Sequence, residues 1–147
     1  LNWSNSNGLQ LTNGLTAIGS GGMLGHGFNH TPIYFPEMQT DFIFAVFASN
    51  FGFLGTLLLL GLIVFFDLNI ISLANKSHND NDKLLVGGII AVLLFQQMQN
   101  IGMTLGLLPI MGITLPFISY GGSSLLSYMI LIGMLFNISN ENLRFKN

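Results

Sequence analysis

The sequence predicts an all-α integral membrane protein, with three membrane-spanning helices preceded by a long glycine-rich segment. Three observations carry this prediction. Only 7% of the 147 residues are charged and 50% are hydrophobic, whereas a water-soluble domain carries about a quarter charged residues. Two stretches, 42–66 and 84–108, run 25 residues each without a charge, and a helix of that length is roughly 37 Å long, enough to cross a bilayer with some tilt. The few basic residues fall into two groups, which sets a consistent orientation. With four Lys and Arg and a net charge of −2, the chain has no basic surface for nucleic acid. The absence of cysteine removes disulfides and thiolate metal sites. The chain starts at Leu1 with neither an initiator Met nor a signal-peptide pattern, and is expected to be a piece of a longer protein.

The elements follow in order. Residues 1–40 are rich in Gly, Asn, Ser and Thr, with apolar residues too scattered for a span, and are expected to form a structured extracytoplasmic loop. A phosphate-binding glycine pattern cannot be laid on Gly19 and Gly21, because Leu24 falls at the third glycine. The first helix is expected over about 42–66, ending at Asp67. A cytoplasmic loop is expected over 67–83, then a second helix over 84–108, stopped by Pro109. Residues 110–124 hold Gly112, Pro116, Gly121 and Gly122 and read as a turn-rich or re-entrant connection. The third helix is expected over about 123–138, with a polar tail at 139–147. Lys76 and Lys83 lie in the first loop and Arg144 and Lys146 in the tail. Two helices separate these regions, so they share one side, which the positive-inside rule makes the cytoplasm. Residues 1–40 and the connection then face outward.

Two groups of polar residues stand out. Glu37 and Asp41 lie at the lip of the first apolar run with no Lys or Arg nearby, and an acid at the edge of hydrocarbon is costly enough to suggest a task. The competing reading is a helix cap, with Thr40 as cap and Asp41 favoured by the helix dipole, or Asp41 itself as cap. In the second helix, Gln96, Gln99, Asn100 and Met103 recur at i, i+3, i+4 and i+7, joined by Gln97 and Thr104. Such groups cannot face lipid. They are either interhelical hydrogen-bonding residues or one wall of a polar cavity. His26 and His30 are four apart, but the surrounding glycines argue against a helical metal pair. The hydroxyls of Ser119 to Ser124 have no evident His base and read as a turn with helix capping rather than a nucleophile.

Several strings together resemble a known family. Asn100-Ile-Gly-Met-Thr-Leu-Gly-Leu-Leu-Pro109 and Gly112-Ile-Thr-Leu-Pro-Phe-Ile-Ser-Tyr-Gly-Gly-Ser-Ser-Leu125 are similar to the signature of the SEDS proteins (RodA, FtsW and SpoVE). So are Ala17-Ile-Gly-Ser-Gly-Gly22, Pro36-Glu37 and Thr40-Asp41-Phe-Ile-Phe44. The likeness covers nearly the whole chain in the right order, and the glycine and Leu-Leu-Pro patterns lean toward RodA. It implies the C-terminal part of a ten-helix fold: a large extracytoplasmic loop and the last three helices.

The resemblance further implies a peptidoglycan glycosyltransferase that polymerises lipid II into nascent glycan at the outer face of the bacterial cytoplasmic membrane. It implies a partner as well, a class B penicillin-binding protein acting as transpeptidase. Carried over by motif, Asp41 is the candidate catalytic residue, because a sugar hydroxyl attacking an anomeric carbon must lose a proton to a positioned base. Glu37, Gly21, Gly22, Asn100, Pro116, Ser119, Gly121, Gly122 and Ser123 are the candidate substrate contacts. No metal ligand is assigned. The diphosphate-lipid leaving group needs cationic stabilisation, for which the candidates are the rest of the protein or a divalent cation such as Mg or Mn. The chain departs from the family pattern twice: Gln39 stands where His is usual, and Ser49-Asn50 replaces a Glu-Glu pair. Two other functions stay open, a flippase or transporter for a lipid-linked precursor, since transporters also use broken helices, and an inactive scaffold of the cell-wall machinery.

Overall fold

The computed structural model describes residues 6–27 and 39–144. These form four helices: α1 (Ser6–Ser20), α2 (Ile43–Lys76), α3 (Asp80–Thr104) and α4 (Gly122–Arg144). By length and composition α2, α3 and α4 can each cross a membrane, with peak mean hydropathies of 2.4, 1.6 and 1.5. The protein is therefore an α-helical membrane protein, as its composition predicts. A core of Ile70, Val86, Ile89, Leu93, Tyr128, Leu135 and Ile138 joins the three spans. Much of the remaining surface of α2 is apolar and exposed, including Leu57, Leu58, Leu62 and Phe65, as expected of a helix in contact with lipid or other membrane helices.

The boundaries differ from expectation in five places, each for a physical reason. Residues 6–20 are a helix, not part of a continuous loop. The stripe of α1 that packs is Leu11, Gly14 and Ala17, continued by Gly21. Its members are mostly small, so hydropathy does not register them, yet Gly14 lets the Phe42 ring approach closely. Two α1 hydroxyls are absorbed locally, Thr12 donating to the Gly8 carbonyl and Thr16 to the Thr12 carbonyl. Second, α2 does not stop before Asp67, because this carboxylate is buried and accepts a bond from Gln97 (Nε2 to Oδ1, 3.2 Å). The helix continues to Lys76, so the connection expected over 67–83 shrinks to residues 77–79. Third, α3 begins at Asp80 rather than 84, with Asp80 and Asp82 in its first turn, where the dipole favours them.

Fourth, α3 ends at Thr104, before the expected stop at Pro109. The amide of Leu107 bonds the Gly102 carbonyl and that of Gly106 the Met103 carbonyl, while Gly106 takes a left-handed conformation (φ 75°). This Schellman arrangement closes the helix end, and Leu108 folds back over Gly102. Fifth, α4 runs to Arg144, well past 138, so the polar tail begins as helix.

The largest departure is inside α2. Gly52 (φ 66°, ψ −164°) interrupts the helix. Two contacts show how sharply the chain turns there. Asn100 bonds the Asp41 carbonyl and Gln97 bonds the Asp67 carboxylate, and these two α3 residues are about one turn apart. In a straight helix positions 41 and 67 would lie about 39 Å apart, beyond the reach of both side chains. The chain therefore doubles back at Gly52, and the segment bearing Asp41 comes down beside the C-terminal part of α3.

Candidate functional site

The break in α2 frees backbone groups that would otherwise be paired in the helix, and residues 21–27 fill it. The Ser49 and Asn50 carbonyls accept from the amides of His26 and Gly27 (both 3.0 Å), while the amides of Phe53 and Leu54 donate to the carbonyls of Gly22 and Met23 (2.9 and 3.3 Å). At three glycines the fit leaves no space for a side chain. A Cβ on Gly25 would strike the Asn50 carbonyl, and one on Gly52 the Gly25 nitrogen. Gly21 is likewise pressed on the Ala48 carbonyl. Gly21 is buried and Gly22 exposed. The first of these two candidate contacts thus serves packing, while the second joins backbone to backbone and still faces outward. Where the family pattern carries two glutamates, Ser49 and Asn50 hold this strap by their carbonyls, so that contact does not depend on their side chains.

Asp41 lies in a turn at 39–42, half-buried, ahead of the N-cap position, which is Phe42. Asp41 is therefore not itself the cap. Its neighbourhood is built by the connection between α3 and α4. Gly112 (φ 62°) brings its backbone against the acid: a Cβ there would lie 3.3 Å from Asp41 Oδ2. The amide of Tyr120 donates to the Gln39 carbonyl (2.8 Å), tying the far end of the connection to the same turn. Between these points the chain turns at Pro116, which is buried, and Ser119 Oγ accepts from the Leu115 amide (2.8 Å). Phe117 follows Pro116 at φ 65°, its ring against those of Phe66 and Tyr128 (centroids 5.7 and 5.1 Å). The connection thus dips between the spans as a re-entrant segment, consistent with its Gly/Pro content.

A cavity of about 450 Å³ opens here, lined by Gln39, Ile43, Ser119, Tyr120, Gly121 and Gly122 among others. Three of the predicted contacts, Ser119, Gly121 and Gly122, are thereby brought together next to the turn that carries Asp41. Ser123 is exposed in the first turn of α4, its carbonyl accepting from Ser127 Oγ. Pro116 shapes the turn from inside. Glu37 and His30 lie outside the described residues. A larger cavity of about 950 Å³ lies between the far halves of α2 and α4, lined by Phe66, Lys76, Phe136 and Asn142 among others, and it is apart from Asp41. Among the described residues no group of three or more His, Asp or Glu comes together as a metal site.

The α3 amides resolve the choice between interhelical bonding and a cavity wall. Gln99 donates to the Pro109 carbonyl (2.8 Å), Gln96 accepts from the Tyr128 hydroxyl (2.9 Å), and Gln97 serves Asp67. Asn100 is fully buried and donates twice, to the carbonyls of Asp41 (2.8 Å) and Ile113 (2.7 Å). Its predicted role as a direct substrate contact does not fit this burial; it holds backbone instead. Sequence reading placed Gly112 among the turn-forming residues of the connection but missed its place against Asp41, and it missed the break at Gly52, which sits inside an apolar run.

A model of the family described as "Cell cycle protein", covering FtsW, RodA and SpoVE, matches residues 2–144. The chain is 44% identical over 140 residues to the probable peptidoglycan glycosyltransferase FtsW of Coxiella burnetii, 41% identical to the stage V sporulation protein E of Bacillus subtilis, and 37% identical to the peptidoglycan glycosyltransferase RodA of Treponema pallidum. These alignments span 91%, 90% and 92% of this chain and 38%, 37% and 32% of the relatives. Among solved structures, a peptidoglycan synthase complex that coordinates polymerization and crosslinking superposes with a TM-score of 0.78 at 32% identity, over 92% of this chain and 37% of that one. A variant of the rod shape determining protein RodA of Thermus thermophilus gives 0.65 at 36% identity, over 83% and 37%. The chain thus spans about a third of the length of its relatives, and relatives of all three names match it, so the lean toward RodA rests on the short motifs alone. With an aligned family model over nearly its full length and solved relatives of the same fold, the chain belongs to the FtsW/RodA/SpoVE family of membrane cell cycle proteins.

Proposed function

We propose that the full-length protein is a peptidoglycan glycosyltransferase that polymerises lipid II, and that Asp41 is its general base. The observation that carries this reading is the placement of a half-buried acid against Gly112 of the family's glycine-rich connection, on a turn whose Gln39 lines the cavity that the same connection builds. The relatives' names supply the reaction class. The acceptor sugar hydroxyl would give its proton to Asp41 as it attacks the anomeric carbon, and the diphosphate lipid would leave. Ser119, Gly121 and Gly122 would border the sugar, with Gly22 and Ser123 further out. No described cluster fits a divalent ion, so the charge of the diphosphate is assigned to the remaining protein or to a Mg or Mn ion held there.

The transporter alternative draws support from the broken helix, but the break is closed by the residues 22–27 themselves. Carbonyls that would coordinate an ion in a transporter are here engaged by amides, which favours the enzyme. The connection and residues 1–40 are placed outside and the end of α4 in the cytoplasm, on the positive-inside argument. The partner is a class B penicillin-binding protein, in keeping with the crosslinking partner reaction named for the solved complex.

The test is Asp41→Asn in the full-length protein, purified with its transpeptidase partner and given lipid II. Polymerisation should fall by about 10²–10⁴, with assembly of the pair unchanged. Normal polymer length and rate in this variant would remove Asp41 from the chemistry.

A further inference from the structure

We propose that Asn100 and Gly112 form the device that positions Asp41, holding its carboxylate in working orientation without touching substrate. The proposal rests on Asp41 being the general base. A base on a turn is useful only if that turn is held, since a misplacement of about 1 Å costs on the order of 10²-fold in rate. The turn at 39–42 is tied at Gln39 by the Tyr120 amide and at Phe42 by the first amides of α2, and at Asp41 itself the hold is a tertiary one.

Asn100 supplies that hold. Its single NH2 group donates to two carbonyls from segments far apart in the chain, Asp41 (2.8 Å) and Ile113 (2.7 Å). One amide therefore locks the acid's own backbone to the connection that faces it. The side chain is fully buried, and its Oδ1 has no hydrogen-bond partner among the described residues. The reverse amide orientation would set this oxygen against two carbonyl oxygens, so the two donor bonds dictate the arrangement. A buried amide oxygen left unmatched is costly; it is retained beside two short bonds, which marks the donor function as the one in use.

Gly112 is the other half. It directly precedes Ile113, so the bond from Asn100 to Ile113 also fixes where Gly112 stands. Its left-handed backbone (φ 62°) and lack of a side chain let the connection lie against the acid, where a Cβ would come within 3.3 Å of Asp41 Oδ2. Neighbouring bonds brace the assembly: Gln99 to the Pro109 carbonyl, Thr114 Oγ1 with the Tyr128 hydroxyl (3.5 Å), and that hydroxyl to Gln96. One face of α3 thus grips the connection at successive points, and Asn100 extends the grip to the acid.

The experiment uses the full-length protein with its partner in proteoliposomes, with lipid II as the probe, and compares Asn100→Asp, Gly112→Ala and Asp41→Asn. Asn100→Asp preserves size but removes both donors. It should lower kcat at least tenfold per assembled complex, leave KM for lipid II within about twofold, and move the acidic limb of the pH–rate profile, because the carboxylate's surroundings change. Gly112→Ala, which leaves Asn100 intact, should show the same kcat loss and shifted limb. Wild-type kcat and pH profile in both variants, in a preparation where Asp41→Asn is inactive, would overturn the proposal and leave the general base standing. Activity that falls only with the amount of assembled complex, with the pH limb unmoved, would also overturn it. If Asn100→Asp does not assemble, Gly112→Ala decides alone by the same criteria. Full activity of Asp41→Asn would overturn the general-base assignment and this proposal together.

Discussion

A carboxylate buried in a membrane helix requires a donor, and Asp67 has one in Gln97 at 3.2 Å. Both side chains are more than nine-tenths buried, so neither can turn to water if the other is lost. Bonds of this kind between membrane helices contribute about 0.6 kcal/mol on average and up to about 1.7, but deleting one partner also strands the other. Gln97→Leu should therefore destabilise the protein by about 1–3 kcal/mol, and Asp67→Asn, which retains an acceptor oxygen, by much less. Adding Asp67→Leu to Gln97→Leu should restore part of the loss. Unfolding curves in detergent or bicelles would measure this; a Gln97→Leu variant as stable as the parent would show that the pair holds nothing. The same logic explains α3 as a whole. Its amides look from sequence like one polar face, but each is committed to a different partner, and only Asn100 reaches the acid's segment.

At the scale of elements, the deciding feature is the reversal of α2 at Gly52. Ordinarily a glycine in a helix interior costs up to about 1 kcal/mol relative to Ala, so replacing it should help. That expectation holds for Gly61, which has nothing within 4 Å of where a Cβ would be; Gly61→Ala should be neutral or slightly stabilising. It fails for Gly52, where φ is 66° and the strap of residues 23–25 occupies the site. Gly52→Ala should misplace the strap, open the backbone bonds to residues 22–27 and sharply lower the yield of folded protein. Thermal stability of the two variants side by side distinguishes these outcomes, and equal behaviour would contradict the packed break. The strap also accounts for Gly21 and Gly25, where backbone meets backbone and a side chain would separate them, while Gly22 and Gly27 carry left-handed backbone (φ 54° and 94°).

On the scale of the molecule, the three spans place the 77–79 turn and the end of α4 at one end, since Lys76, His78, Ser139 and Asn142 line one cavity. The Asp41 turn, the strap and the connection lie toward the other end. The proposed orientation, with the first of these ends in the cytoplasm, rests on Lys76, Lys83, Arg144 and Lys146 and the positive-inside rule. Cysteine placed at His26 should react with an impermeant reagent added outside intact cells, and cysteine at Asn81 should react only after permeabilisation; both positions are exposed. The reverse pattern would invert the orientation and put the candidate site on the wrong side for an external sugar polymer.

What the sequence determined by itself was the class of environment and the order of spans. Scarce charge and long uncharged runs such as 42–66 leave no option but hydrocarbon, because hydropathy is a local and additive property. The short strings around Asp41, Pro109 and Gly121 carried the family for the same reason, being read in place. Tertiary structure alone decided where helices end and what the polar residues do. Asp67 reads as a boundary until Gln97, thirty residues on, satisfies it. Residues 6–20 read as loop because their buried stripe is small rather than apolar, and it becomes a helix face only against α2. Gly52 reads as one more residue of a span, and its reversal exists because a distant strap bonds the broken ends. The site depends on such long-range pairings: Asp41, Asn100 and Gly112 lie in three separate stretches, and hydrogen bonds formed only in the folded chain bring them together.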